Sequence, residues 1–205
     1  MRFRRAALTN PATWYLTFGL VALAGSMWAP YATALRTTRI ESRGDEIASA
    51  LIAAVRQWPD VIAPADVPVL LARFYALAER DGAFLGDLEV VEPPWSGTLL
   101  SLQNKHYLFQ VAESPPPVDD PGTPGSVPAY EVMAWPRRRS GPAHSVFFHP
   151  ANALAAYTRN LAQGYDGAGR DRPQPGAAQR RQALWEWTKS YYGQDDERWI
   201  VHNDR

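Results

Sequence analysis

The chain has 205 residues, of which 46% are hydrophobic and 20% charged, and its formal net charge is zero. That length suits one domain of ordinary size, and the zero net charge excludes the broad basic field that draws proteins to nucleic acid. With no cysteine there is no disulfide framework, thiolate metal site or cysteine nucleophile, so the fold must rest on burial, for which eight Trp, nine Tyr and seven Phe are available.

Residues 1–13 read as a cytoplasmic tail carrying Arg2, Arg4 and Arg5. No charged side chain follows until Arg36. The 22 residues from Trp14 to Leu35 are long enough for a transmembrane helix, with Trp14 and Tyr15 at one end and Trp28 and Tyr31 toward the other, where rings sit at headgroup level. Pro30 is expected to bend or end that helix. The segment is either a signal anchor or a signal peptide, since Ala32-Thr33-Ala34 has the small-x-small form that precedes a cut. Both place residues 36–205 across a membrane. The basic flanks tie, three against three (Arg36, Arg39 and Arg43 follow the segment), and the α-amine favours an inside N-terminus. The Gly-Phe site of type IV prepilins, with Glu at the fifth mature position, is not present.

Residues 36–87 read as a helical stalk and helix pair. Ile40, Ile47, Leu51, Ile52, Val55 and Trp58 recur at helical spacing, with Glu41, Arg43, Asp45, Glu46 and Arg56 elsewhere around the helix and Pro59 closing it. A second helix over 66–81 has Asp66 as N-cap, Pro68 in its first turn, an apolar face of Leu70, Leu71, Phe74, Leu77 and Ala78, and Gly82 as its stop.

Residues 88–205 read as an α+β domain. Leu88–Val91 is a short strand ended by Pro93-Pro94. Leu99–Gln103 and His106–Val111 form a hairpin, with Asn104 supplying a left-handed turn residue. Ser114–Pro128 is a Pro- and Gly-rich loop. Tyr130–Trp135 and Ser145–His149 pair across Pro136–Pro142, which completes a four-stranded antiparallel meander. Helices are expected over Ala151–Gln163, with Leu154, Tyr157 and Leu161 on one face, and over Ala177–Tyr192, with Leu184, Trp187 and Tyr191. Arg198–His202 closes the chain as a short strand. The fold class is therefore α+β: an N-terminal transmembrane helix and a single exported domain with a β-meander packed by helices.

Tyr107-x-Phe109, Ala134-Trp135-Pro136 with its Gly-containing turn, and Val146-Phe147-Phe148 together resemble a β-meander of secreted bacterial families of unknown function, some anchored by pilin-like N-termini. The resemblance covers about residues 100–165. It implies a fold and lends no catalytic residue.

Chemistry-bearing groups are sparse. His144 and His149 lie five apart about a strand and point to opposite faces, the wrong arrangement for shared metal binding. Ser140 and Ser145 lack a Gly-x-Ser-x-Gly setting. Asp119-Asp120 and Asp195-Asp196-Glu197 lack the calcium-loop spacing, so no metal or cofactor is expected. Arg137-Arg138-Arg139 is the densest charge feature, either the solvated tip of a hairpin or a contact for anionic headgroups, an acidic partner or phosphate. Trp185 and Trp187 could stack on sugar rings if exposed. The reading is a single-pass bacterial envelope protein with its C-terminal domain outside the cytoplasm. It binds the membrane through residues 14–35, is non-enzymatic, and binds or assembles with another envelope protein, with Arg137, Arg138, Arg139 and Trp185 as candidate binding residues. The alternative is an exported enzyme or glycan-binding module using His144, His149 or the C-terminal tryptophans.

Overall fold

The computed structural model describes residues 11–58, 61–82, 85–115, 129–181 and 189–202. The chain is α+β and divides into two compact units, Met1–Arg39 and Ile40–Arg205. The Ser114–Pro128 loop beyond Pro115, Pro59, and the expected Leu184, Trp185 and Trp187 lie outside the described residues.

Helix α1 spans Pro11–Arg56 and continues through Pro30, so the expected stop there does not occur. A proline removes one N–H donor from the ladder, a loss that a helix of 46 residues absorbs. In the first unit Trp14, Tyr15, Leu16, Phe18, Leu20, Val21, Leu23, Trp28, Tyr31 and Leu35 are all exposed. The hydroxyls of Ser26, Thr33 and Thr38 donate back to the carbonyls of Leu23, Ala29 and Ala34, which hides their polarity within the helix. The helix is long and apolar enough to cross a membrane.

In the second unit, α1 from Ile40 onward buries Ile47, Ala48, Leu51, Ile52 and Val55, the stripe its spacing predicts. Helix α2, Val67–Arg80, buries Leu70, Phe74, Leu77 and Ala78 and stops before Gly82, whose φ of 73° suits glycine. Asp66 stands at the N-cap position, but its carboxylate accepts from Ala63 N–H and tightens the preceding 3₁₀ turn, Pro64–Asp66, so α2 has no side-chain cap.

Among the described residues eight strands make one antiparallel sheet in the order β1-β2-β3-β4-β5-β6-β8-β7: β1 Glu89–Val90, β2 Leu100–Gln103, β3 Tyr107–Ser114, β4 Ala129–Pro136, β5 Val146–Pro150, β6 Ala156–Thr158, β7 Ser190–Tyr192 and β8 Arg198–Val201. The expected meander is its centre, with Phe109 opposite Ala134 and Ala134 opposite Phe147. The β2–β3 turn closes without a left-handed Asn104; the Asn104 side chain instead accepts from the N–H groups of His106 and Tyr107.

The helix expected over 151–163 is not formed. Residues 156–158 are a strand between β5 and β8, Leu154 and Leu161 stand in solvent, and Ala156 and Thr158 point inward with period 2. The helix expected over 177–192 is likewise contradicted at both described ends, because Ala177–Arg181 is turn and bridge and Tyr191 lies in β7. In both places strand pairing overrides an apolar spacing of three to four residues.

One sheet face, carrying Leu100, Leu102, Tyr107, Phe109, Val111, Val132, Ala134 and Phe147, shares a core with α1 and α2. The other carries Leu108, Met133, Trp135, Val146 and Phe148, packed with Tyr165, Ala178, Tyr191 and Trp199. Both apolar faces of the sheet are thereby removed from water.

Candidate functional site

Three of the five ion pairs among the described residues involve α1 from Glu41 to Asp45, along a polar seam against the sheet. Glu41 and Asp45, one helical turn apart, both turn toward β5. Glu41 accepts from the N–H groups of His144 (3.2 Å) and Ser145 (3.0 Å), and its second oxygen pairs with Arg159 at 3.3 Å. Asp45 Oδ1 lies 2.8 Å from Nε2 of His149, whose side chain is only 6% exposed. Beside them Gly44 lets α1 approach the Tyr107 ring, and the Tyr107 hydroxyl donates to the Ser145 carbonyl at 3.1 Å. Burial, with the Glu41 and Asp45 charges adding to it, pushes the Tyr107 hydroxyl well above its ordinary pKa. Arg43 pairs with Asp87 at 2.5 Å, and Asp87 also accepts from Lys105 N–H. Glu41 and Asp45, which the sequence pattern sets elsewhere around the helix from its apolar stripe, therefore belong to the packed seam.

A carboxylate, an imidazole and a hydroxyl are parts of a nucleophilic relay, but they are not assembled as one. The Ser145 hydroxyl accepts from Arg159 at 3.2 Å. It sits four residues along the chain from His149, roughly 13 Å at strand rise, whereas proton transfer needs about 3 Å. Among the described residues no hydroxyl hydrogen-bonds to the His149 ring. The arrangement locks α1 to β5.

On the opposite face, buried carboxylates pin loops to the sheet. Glu131 of β4 is fully buried; it accepts from Gly176 N–H at 2.7 Å and from the Ser114 hydroxyl at 2.8 Å. Burial raises its pKa and those two bonds oppose the rise. The neighbouring Gln110 donates to the Pro173 carbonyl, and its own buried oxygen has no partner among the described residues. Trp135 donates its indole N–H to the Gly167 carbonyl. Glu197 accepts from the Thr158 hydroxyl and from three successive N–H groups, those of Leu161, Ala162 and Gln163. Asp195 accepts from the hydroxyl of Tyr165 and the indole of Trp199; burial raises its pKa and these bonds lower it.

The residues singled out from sequence are dispersed. His149 is buried at the seam, while His144, at the other end of β5, has an exposed side chain. Asp195 and Glu197 are occupied by internal donors and Asp196 pairs with Arg181, so the acidic run is structural. Asp119-Asp120 and Trp185 lie outside the described residues. Among the described residues no three His, Asp or Glu side chains are placed to hold a metal ion. Arg137, Arg138 and Arg139 are exposed after β4, where Arg137 N–H bonds the His106 carbonyl and Arg139 N–H bonds Asp166. Sequence reasoning passed over Glu131, although an acid between Tyr130 and Val132 in an apolar strand is itself a signal of a buried polar contact. Comparison with family models, with curated proteins and with solved structures found no match.

Proposed function

We propose that this chain is a single-pass envelope protein of bacterial type, with Trp14–Leu35 spanning a membrane and residues 40–205 forming a non-enzymatic binding or assembly module outside the cytoplasm. The observation that carries the reading is α1: ten large apolar side chains from Trp14 to Leu35 are exposed along one uncharged stretch, a surface far larger and more continuous than water tolerates. The hydroxyls folded back on the helix suit a lipid surrounding, where an unsatisfied polar group is costly. The commitment of Asp45 and His149 to each other, and of Ser145 to Arg159, supports a binding module over an enzyme. Two measurements on the full chain test the proposal. Alkaline extraction of membranes should leave it in the pellet, and cross-linking in those membranes should capture a reproducible protein partner. Release into the alkaline supernatant sinks the anchor, and a chain that cross-links to nothing sinks the assembly role.

A further inference from the structure

Leu35 and Ile40, where the second unit begins, are five residues apart in the chain. That stretch reaches about 8 Å as helix and at most about 17 Å extended. Whichever part of the second unit lies beside Ile40–Asp45 is therefore close to any bilayer that holds Trp14–Leu35. That part is one particular end of the sheet. Glu41 meets His144 and Ser145 just before β5 begins, and Gly44 meets Tyr107, where β3 begins. By strand register the same end holds the last residue of β4, Pro136, and of β6, Thr158. Two loops leave the sheet there: Arg137–Arg139, and residues 159–164.

These loops form one surface. Arg139 lies over Gly164, where an added Cβ would come within 2.8 Å of its guanidinium. Arg137 is tied to the β2–β3 turn that carries exposed Lys105. Of the nearby acids, Glu41, Asp87 and Asp196 are paired with Arg159, Arg43 and Arg181, while Asp166, Asp195 and the buried Glu197 accept from neutral donors. On the Arg137–Arg139 loop and the β2–β3 turn the exposed charges, Arg137, Arg138, Arg139 and Lys105, are all positive. On the same loop as Gly164, Leu161 is 83% exposed, and that loop is pinned by three N–H bonds to the buried Glu197, by Asn160 at φ 57° and by the Asn160 side chain on Tyr165. A fixed loop that presents a bare leucine and meets Arg139 at Gly164 suits a headgroup layer, which takes the apolar tip while its phosphates pair with guanidinium.

We infer that Arg137–Arg139 and Leu161 dock on the anionic phospholipid headgroups of the same bilayer, an inference that rests on the anchoring proposed above. The cysteine-free full chain allows single labels. Leu161→Cys, Leu154→Cys (exposed, on the turn between β5 and β6 at the other end of the sheet) and Leu20→Cys would each carry an environment-sensitive fluorophore. The labelled chains would be placed in phosphatidylcholine vesicles with or without phosphatidylglycerol. Lipids nitroxide-labelled at the headgroup should quench position 161 several-fold more than position 154 when phosphatidylglycerol is present. That difference should shrink in phosphatidylcholine alone and, by roughly fivefold per charge removed, in Arg138→Gln and Arg137→Gln. If acyl-chain nitroxides quench position 20 but position 161 stays as dark to headgroup nitroxides as position 154, the docking is wrong and the anchor stands. If position 20 is not quenched, the anchor is wrong and the docking falls with it.

Discussion

Nε2 of His149 on β5 lies 2.8 Å from Oδ1 of Asp45 on α1, joining a strand and a helix 104 residues apart in the chain. Since His149 is buried, removing its partner leaves a polar ring unsatisfied. Asp45→Ala should destabilise the compact unit 40–205 by about 1–3 kcal/mol. A double-mutant cycle with His149→Leu in chemical denaturation should give a coupling of about 0.5–3 kcal/mol. Additive effects would mean that the two side chains do not act as a pair.

Phe109 is fully buried between its neighbours on β2 and β4 and faces the helices. Phe109→Ala should cost about 3–5 kcal/mol in the same fragment. Arg138→Ala, at an exposed tip, should cost less than about 0.5 kcal/mol. Equal small effects would show that the register is wrong.

Gly44 supplies the close approach of α1 to β3. An added Cβ would lie 2.8–3.0 Å from three atoms of the Tyr107 ring. That ring is itself fixed by its bond to Ser145 and by contact with Phe109 and Phe147. Alanine gains about 1 kcal/mol of helix propensity over glycine, while overpacking a core costs about 1–3 kcal/mol. Gly44→Ala should therefore lower the denaturation midpoint, whereas Gly169→Ala, where nothing stands within 4 Å, should not. A raised midpoint for Gly44→Ala would mean that the helix stands off the sheet.

Burial raises the Glu131 pKa above its ordinary 4.5, so the folded chain holds that proton more tightly than the unfolded chain does. Its contribution to stability is present at low pH and declines as pH rises from about 4.5 to the folded value. Asp195 acts in the same direction from 3.8. Glu131→Gln keeps an acceptor for Gly176 N–H and cannot ionise. Relative to the wild type it should gain stability steadily across that interval, as followed by urea denaturation at a series of pH values. A difference that is flat with pH would place the Glu131 carboxylate in water.

Elements with a local periodicity of their own were legible in the sequence. The apolar run to Leu35, the buried stripe from Ile47 to Val55, α2, and strands β2 to β5 with the turn at Asn104 all carry such patterns. Elements that depend on partners distant in the chain were hidden. Strand β6 is three residues long and exists through pairing with β5 and β8, while Leu154, Tyr157 and Leu161 imitate a helical face. The seam was unreadable for the same reason, since Glu41 meets Arg159 across 118 residues. Solvated and seam-facing acids look alike on a helix whose apolar stripe is narrow. Of the candidate site residues, the arginine run is legible as a hairpin tip, while Leu161, exposed on a loop, carries a spacing that reads as a helix.

In the proposed topology one helix crosses a membrane and leaves residues 40–205 on the far side from the cytoplasm. Tyr192 is 60% exposed in that unit, and the chain has no native cysteine to confuse a label. Tyr192→Cys in the full chain, treated in intact spheroplasts with a membrane-impermeant maleimide, measures the side directly. The cysteine should react before lysis as fully as after it, with the labelled chain in the membrane pellet. Reaction only after lysis would place the domain in the cytoplasm and contradict that topology.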